Sequence, residues 1–392
     1  MTARCSTYSA MATVGFLICS LVSITLSLLY FTELRWLPDV SRCRHYVSSE
    51  FQNGDAEPTV NNTKMIMFWT RAANTRNWLS FPENETTRFL ASLTKCSRDC
   101  ILTSDHSKFR QADMLLFYRS EKPDWPKRRY ANQFYAHYTL EAPNWLHGSQ
   151  YLHQYDGGIN ITINFRRDAD FYFPYNLVLP VTSNAVYQPR IAHRNKTKMV
   201  VWPVSHCITE SRREYYAHEL SKYIDVEIYG ACGRHKCSKA KHRPCVMQWE
   251  AEFMFYLSFE NSICEDYITE KTFVPLQYEI IPVVLGGGNY SRDTPPHSVI
   301  NARDFKSPNE LANYLILLAA DEQRYRSYFQ WKTHYQIVGG IMLFLCRLCE
   351  ALHENKLPLH SARTHYAEYW LGVHGEKCDN GLVPRMRKRG KW

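Results

Sequence analysis

The stretch FYLSFENSICEDYITEK (255–271) changes character halfway along. It opens inside a continuous apolar run, Phe253–Phe259, of the kind that forms a fully buried strand. From Glu260 onward the residues turn polar and charged, and Thr269 stands where a helix can be capped. A buried strand running directly into a helix start is the repeating unit of a parallel α/β sheet. A helix start presents free N–H groups and a positive dipole end to anions. Lys271 could there neutralise a phosphate, while Glu270 and Tyr267 could grip sugar or ribose hydroxyls. The same residues would also suit an ordinary charged first turn.

Outward from this stretch the pattern repeats. Lys198–Val204 predicts a strand, Ser211–Tyr223 an amphipathic helix, Val226–Tyr229 a strand and Ile280–Leu285 another. Ser307-Pro308-Asn309-Glu310 is a helix start, with a capping serine, a proline suited to the first position and a glutamate completing a capping box. A single helix is expected from there through LANYLILLAADEQRYRSYF. Before this block, Lys64–Trp69, Ala112–Tyr118, Tyr130–Leu140 and Ile159–Phe165 are further strand candidates. The polar connector QPRIAHRNKTK (188–198) separates the blocks. Two strand–helix blocks predict an α/β protein of two facing Rossmann-like domains, with ligands in the cleft between them.

The N-terminal end differs. No charged residue or histidine occurs in the 28 residues from Cys5 to Thr32. The run exceeds the apolar region of most cleaved signal peptides and is long enough for one membrane-crossing helix. The expected organisation is a cytoplasmic tail (1–9), a transmembrane signal anchor (10–31), a stem (32–63), a first domain (64–190), a second domain (195–345) and a C-terminal segment (346–392). Sequons at Asn61, Asn84, Asn160, Asn195 and Asn289 all follow the anchor, as do eleven of the thirteen cysteines, which places the body in an oxidising lumen. Hydrophobic residues at 45% and charged ones at 22% exclude a disordered chain. The net charge is +9, and five of the positives lie in the last eight residues, Arg385, Arg387, Lys388, Arg389 and Lys391. What remains is too small for a nucleic-acid footprint.

The 255–271 stretch resembles the signature of the α1,3-fucosyltransferases, the inverting glycosyltransferase family 10 that uses GDP-fucose. The resemblance extends to KMVVWPVSHC (198–207), REYYAHELSKYIDVEIYGACG (213–233), SVINARDFKSPNELANYLILL (298–318), YFQWK (328–332) and CRLC (346–349). It implies the GT-B fold and no obligatory cofactor, Mn²⁺ being possible but not required. By position it implies that Asn261, Tyr267, Glu270 and Lys271 bind the donor. Arg213 would contact the donor diphosphate, and Glu141 of Tyr-Thr-Leu-Glu-Ala-Pro would be the catalytic base. Partners would be GDP-fucose, N-glycans on glycoproteins and the Golgi membrane. The YGACGRHKC insert most resembles invertebrate core-type members, which fucosylate the innermost GlcNAc of N-glycans. A Lewis-type member acting on LacNAc or LacdiNAc antennae, or a weakly active glycan-binding homologue, is the alternative. His206, Ala142 and Pro275 depart from the family pattern, Pro275 replacing an asparagine in a helix that would start late or kink around it.

Asp168-Ala169-Asp170 could chelate a metal ion, or could be an acidic loop paired with Arg166 and Arg167; no metal ligand is assigned. Cys232, Cys237 and Cys245, with His235 and His242, have spacings open to zinc, but disulfides are the default in a lumen. Cys207 joins these disulfide candidates. By resemblance, Cys346 and Cys349 would bridge back towards Cys96 and Cys100. An odd lumenal count leaves one cysteine over, with Cys43 and Cys378 as candidates.

Overall fold

Continuous apolar runs become parallel strands. A computed structural model describes residues 63–70, 96–118, 123–130, 132–143, 152–181, 187–191, 193–237, 242–358, 362–390 and 392. The expected tail, anchor and nearly all of the stem, with Cys43, Asn61 and Asn84, lie outside them. Among the described residues no helix is long and apolar enough to cross a membrane.

The first sheet holds β1 (Lys64–Phe68), β2 (Cys100–Thr103), β3 (Met114–Tyr118), β4 (Phe134–Tyr138), β5 (Ile161–Asn164) and β6 (Phe171–Tyr172). Their order is β2-β1-β3-β4-β5-β6, with every pair parallel. After β7 (Asn176–Pro180) comes the second sheet: β8 (Lys198–Pro203), β9 (Val226–Tyr229), β10 (Phe253–Phe259), β11 (Ile281–Leu285) and β12 (Ile300–Asn301). Its order is β12-β11-β10-β8-β9, again all parallel. Counted from its own first strand, each sheet runs 2-1-3-4-5, the doubly wound order, and β6 extends the first. All seven residues of β10 are buried, so this strand needs cover on both faces. β13 (Tyr335–Gly339) pairs antiparallel with β7, joining late chain to early chain.

Nine α-helices occur among the described residues: α1 (Arg213–Leu220), α2 (His242–Glu252), α3 (Glu270–Leu276), α4 (Tyr290–Asp293), α5 (Pro308–Ala320), α6 (Glu322–Ser327), α7 (Ile341–His353), α8 (Tyr366–Leu371) and α9 (Leu382–Gly390). The helix expected over 211–223 starts only at Arg213, because Arg212 takes a left-handed φ of 57°. The long helix expected after Ser307 breaks at Asp321, whose carboxylate accepts the Arg324 N–H at 3.0 Å and restarts the chain as α6. Ser307 does cap α5, accepting from the Glu310 N–H at 3.2 Å; the Glu310 carboxylate reaches back to the Lys306 N–H at 2.7 Å.

Two buried carboxylates fix the connector between the sheets. Glu279 accepts the N–H groups of Arg190 and Ile191 at 2.6 and 2.8 Å, and Glu250 accepts the Arg190 guanidinium at 2.8 Å.

The C-terminal segment serves both halves. Phe344, Leu345 and Leu348 of α7 join Ile66, Leu116 and Ile163 in the core of the first sheet, and Tyr366 and Trp370 of α8 join its opposite face. The expectation that all of 346–392 packs back on the first domain does not describe α9. That helix crosses to the second sheet, where Val383 enters the core and Trp392 meets Tyr216 edge-on at 5.3 Å.

Five disulfides pair Cys96 with Cys346, Cys100 with Cys349, Cys207 with Cys232, Cys237 with Cys245, and Cys264 with Cys378. Cys378 is therefore not the leftover cysteine: the chain after α8 returns it to Cys264, through main-chain bonds from Glu265 to Lys377 and from Asp379 to Ile263. The sulfurs open to zinc are used in disulfides. So are those of Cys100 and Cys349, which form with His353 the one cluster of metal-ligand type among the described residues.

Candidate active site

The second sheet reverses its winding between β8 and β10, and beyond the C-terminal ends of such strands lies the crevice in which open α/β sheets bind ligands. The chain leaves β10 at this end as Glu260, whose side chain is wholly buried. A buried carboxylate must be satisfied, and Thr269 does so with its N–H at 2.8 Å and its hydroxyl at 2.9 and 3.0 Å. The Lys271 ammonium lies 3.5 Å from the same carboxylate and donates to the Thr269 hydroxyl and the Glu270 carboxylate, both at 3.0 Å. Burial raises the Glu260 carboxyl above its ordinary value despite Lys271. For Lys271, burial works against the charge, but Glu260 and Glu270 outweigh it and hold the ammonium above the usual lysine value.

Arg213, at the start of α1, enters from β8. It is 4% exposed and donates to the carbonyls of Phe259 at 2.6 Å and His206 at 3.1 Å, while its Nε has no hydrogen-bond partner. Burial lowers its guanidinium below the ordinary arginine value, with Glu260 and Glu214 opposing. His206 serves through its main chain, so its departure from the family pattern leaves this contact in place. The Ser211 N–H donates to the Asn261 carbonyl at 3.1 Å, tying the α1 approach to the signature loop.

Tyr267 is buried, with its hydroxyl 3.4 Å from Asn261 Oδ1 and its ring 4.9 Å from Phe165 of the first half. Glu141 follows β4 by three residues and is half-buried. Its carboxylate acts electrostatically on both Tyr267 and Tyr175, whose hydroxyls burial above all pushes well up. The structure thus brings Arg213, Asn261, Tyr267, Glu270 and Lys271 together, and Glu141 of the first half acts on Tyr267 among them.

Two participants escaped the sequence reading. Glu260 was one letter in a motif, although an acidic residue directly after seven buried ones is a signal of a functional buried charge. Tyr175 carried no signal; it precedes β7, donates to the Leu140 carbonyl at 2.7 Å and lies edge-on to Tyr267 at 6.3 Å.

The Asp168/Asp170 pair does not present two convergent carboxylates. Asp168 pairs with Arg166, whereas Asp170 takes the Thr162 N–H and hydroxyl at 2.8 and 2.7 Å and Arg363 at 2.8 Å. Of the described sequons, Asn195 and Asn289 are exposed. Asn160 is half-buried and accepts the Tyr135 N–H at 2.7 Å.

Two family models cover the two halves in chain order. "Fucosyltransferase, N-terminal" matches residues 61–176, and "Glycosyltransferase family 10 (fucosyltransferase) C-term" matches residues 193–367. Alpha-(1,3)-fucosyltransferase C of Drosophila melanogaster is 32% identical over 344 residues, 81% of this chain and 80% of that protein. Glycoprotein 3-alpha-L-fucosyltransferase A of the same organism is 38% identical over 287 residues, 71% of this chain and 56% of that protein. Human 4-galactosyl-N-acetylglucosaminide 3-alpha-L-fucosyltransferase FUT5 is 31% identical over 334 residues, 81% of each chain. A crystal structure of an alpha1,3-fucosyltransferase with GDP aligns over 81% of this chain and 97% of that one, at 16% identity and a TM-score of 0.49. With both halves matched and a relative of this similarity spanning four fifths of both chains, the chain belongs to glycosyltransferase family 10, the fucosyltransferases.

Proposed function

We propose that this α1,3-fucosyltransferase transfers L-fucose from GDP-fucose to the 3-hydroxyl of a GlcNAc, the innermost core GlcNAc of N-glycans, in one inverting displacement. The observation that carries the proposal is that Glu141, from the first sheet, acts electrostatically on Tyr267, which belongs with Arg213, Glu270 and Lys271 in the second. As the bond from the anomeric carbon to the β-phosphate breaks, negative charge grows on GDP. Two fixed cations in a poorly hydrated crevice stabilise that charge more in the transition state than in the ground state. The acceptor hydroxyl attacks from the opposite face and its proton passes to the Glu141 carboxylate. Asn261, Tyr267 and Glu270 orient the donor. The separate partners of Asp168 and Asp170 support a reaction without a metal held by that pair.

The 38% identity to a glycoprotein 3-α-L-fucosyltransferase supports the core acceptor. The uncharged 28-residue run, the sequons and the disulfides support a type II Golgi membrane protein with a lumenal body. The test is transfer of label from GDP-fucose in EDTA to a paucimannose N-glycopeptide and, separately, to LacNAc. Label on the inner GlcNAc is the expected result. Label on LacNAc alone overturns the acceptor, and label that appears only when Mn²⁺ is supplied overturns metal independence.

A further inference from the structure

Asp266, the residue before Tyr267, holds a left-handed φ of 58°. Aspartate tolerates this conformation better than most residues but still needs partners to fix it. Its Oδ2 accepts the main-chain N–H of Arg167 at 3.0 Å, and its Oδ1 accepts the Arg292 guanidinium at 2.6 Å. Arg292 also donates to Asp293 at 2.6 and 3.0 Å. Asp293 in turn receives the Arg167 guanidinium at 2.5 Å, which lies over the Tyr172 ring at 4.1 Å.

These contacts close on themselves, from the Arg167 main chain through Asp266, Arg292 and Asp293 to the Arg167 side chain. Arg167 belongs to the loop after β5 of the first sheet. Asp266 belongs to the signature loop after β10, and Arg292 and Asp293 to α4 after β11. The Asp266 and Asp293 carboxylates are shielded, at 13% and 9% exposed, while Arg292 and Arg167 reach solvent at 43% and 47%, so the pairs act as a connected network rather than through burial. One residue inward on one side is Tyr267; two residues inward on the other is Phe165, and their rings meet at 4.9 Å. The ring of charges therefore ends beside Tyr267, the residue on which Glu141 acts electrostatically.

We propose that Arg167, Asp266, Arg292 and Asp293 form an interdomain clamp that fixes the separation between the half carrying Glu141 and the half carrying the donor cluster. They are positioning residues, acting through Tyr267 and the β5 loop. The proposal rests on the roles given above to Glu141 and the donor cluster. Donor binding is confined to the second half, so loosening the clamp slows transfer without weakening the donor. A misplacement of about 1 Å between reacting groups is worth up to about a hundredfold in rate.

The test compares the full chain with Arg167→Met, Arg167→Lys, Asp293→Asn and the Arg167→Met/Asp293→Asn double variant. It measures kcat, KM for GDP-fucose and calorimetric GDP affinity. We expect Arg167→Met and Asp293→Asn each to lower kcat by about tenfold or more, with KM and GDP affinity within about twofold of wild type. Arg167→Lys, which keeps a cation facing Asp293, should recover part of the loss. The double variant should be no slower than the slower single, because each breaks the same contact. Unchanged kcat in both singles, additive losses, or a fall in GDP affinity matching the fall in kcat would overturn the clamp. Should Arg167→Met fail to fold, the near-isosteric Asp293→Asn carries the same comparison. A wild-type chain without any fucosyl transfer would sink the proposed function, whereas an active wild type with insensitive variants sinks the clamp alone.

Discussion

Lys271 and Arg213, the two cations proposed for the diphosphate site, are held differently. Lys271 keeps its charge because two carboxylates stand beside it, whereas Arg213 keeps its charge in a nearly dry site because a guanidinium hardly gives up its proton. Both should act on the donor. Lys271→Ala and Arg213→Ala are expected to raise KM for GDP-fucose and to lower kcat/KM by about a hundredfold each, as loss of a transition-state charge partner does. Steady-state kinetics with varied GDP-fucose checks this; unaltered kcat/KM in either variant would remove that residue from the diphosphate site. Lys271 was legible from its place at a helix start directly after a strand, whereas Arg213, outside the 255–271 stretch, was legible only through family resemblance. Glu141 was likewise legible only through that resemblance, since a lone glutamate before Ala-Pro has no local pattern. Asp266 carried no legible sign of its left-handed backbone, which its distant partners Arg167 and Arg292 determine.

At the scale of elements, α3 contains a departure that the structure explains. Pro275 lies inside the helix and has no N–H to give the Lys271 carbonyl four residues earlier. The buried Ser258 hydroxyl on β10 donates to that carbonyl at 2.7 Å instead. The helix does not start late around the proline; it runs from Glu270 and stops one residue after Pro275. A paired substitution tests this. Ser258→Ala should destabilise the chain by about 1–3 kcal/mol, the cost of a buried unsatisfied carbonyl. The same change in a Pro275→Ala background should cost clearly less, because residue 275 then supplies an N–H. Equal losses in both backgrounds, read by chemical denaturation, would dissociate the serine from the proline. Burial made a long signal at β10, which matches the expected limits to the residue, and the short β9 also matches because it follows an expected helix in strand–helix alternation. β2 and β6, of four and two residues, escaped notice because so short a run carries no period and neither stood beside an expected helix.

The whole molecule depends on contacts between residues far apart in the chain. The Cys96–Cys346 and Cys100–Cys349 bridges span 250 and 249 residues, and α9 returns from the end of the chain to cover α1 of the second half. Strand and helix patterns predicted two sheets but could not say that one segment closes both, because local periodicity contains no information on which distant face an amphipathic helix covers. That closure ties the sheet carrying Glu141, the proposed base, to the sheet carrying the proposed donor cluster. The claim is tested most directly by measuring fucosyl transfer and GDP affinity for Glu141→Gln beside the wild type. The account predicts a fall in kcat of about 10²–10⁴-fold with GDP affinity within about twofold of wild type. Retention of most of the turnover would contradict it, since a base that can be neutralised without loss is not the group that takes the acceptor's proton.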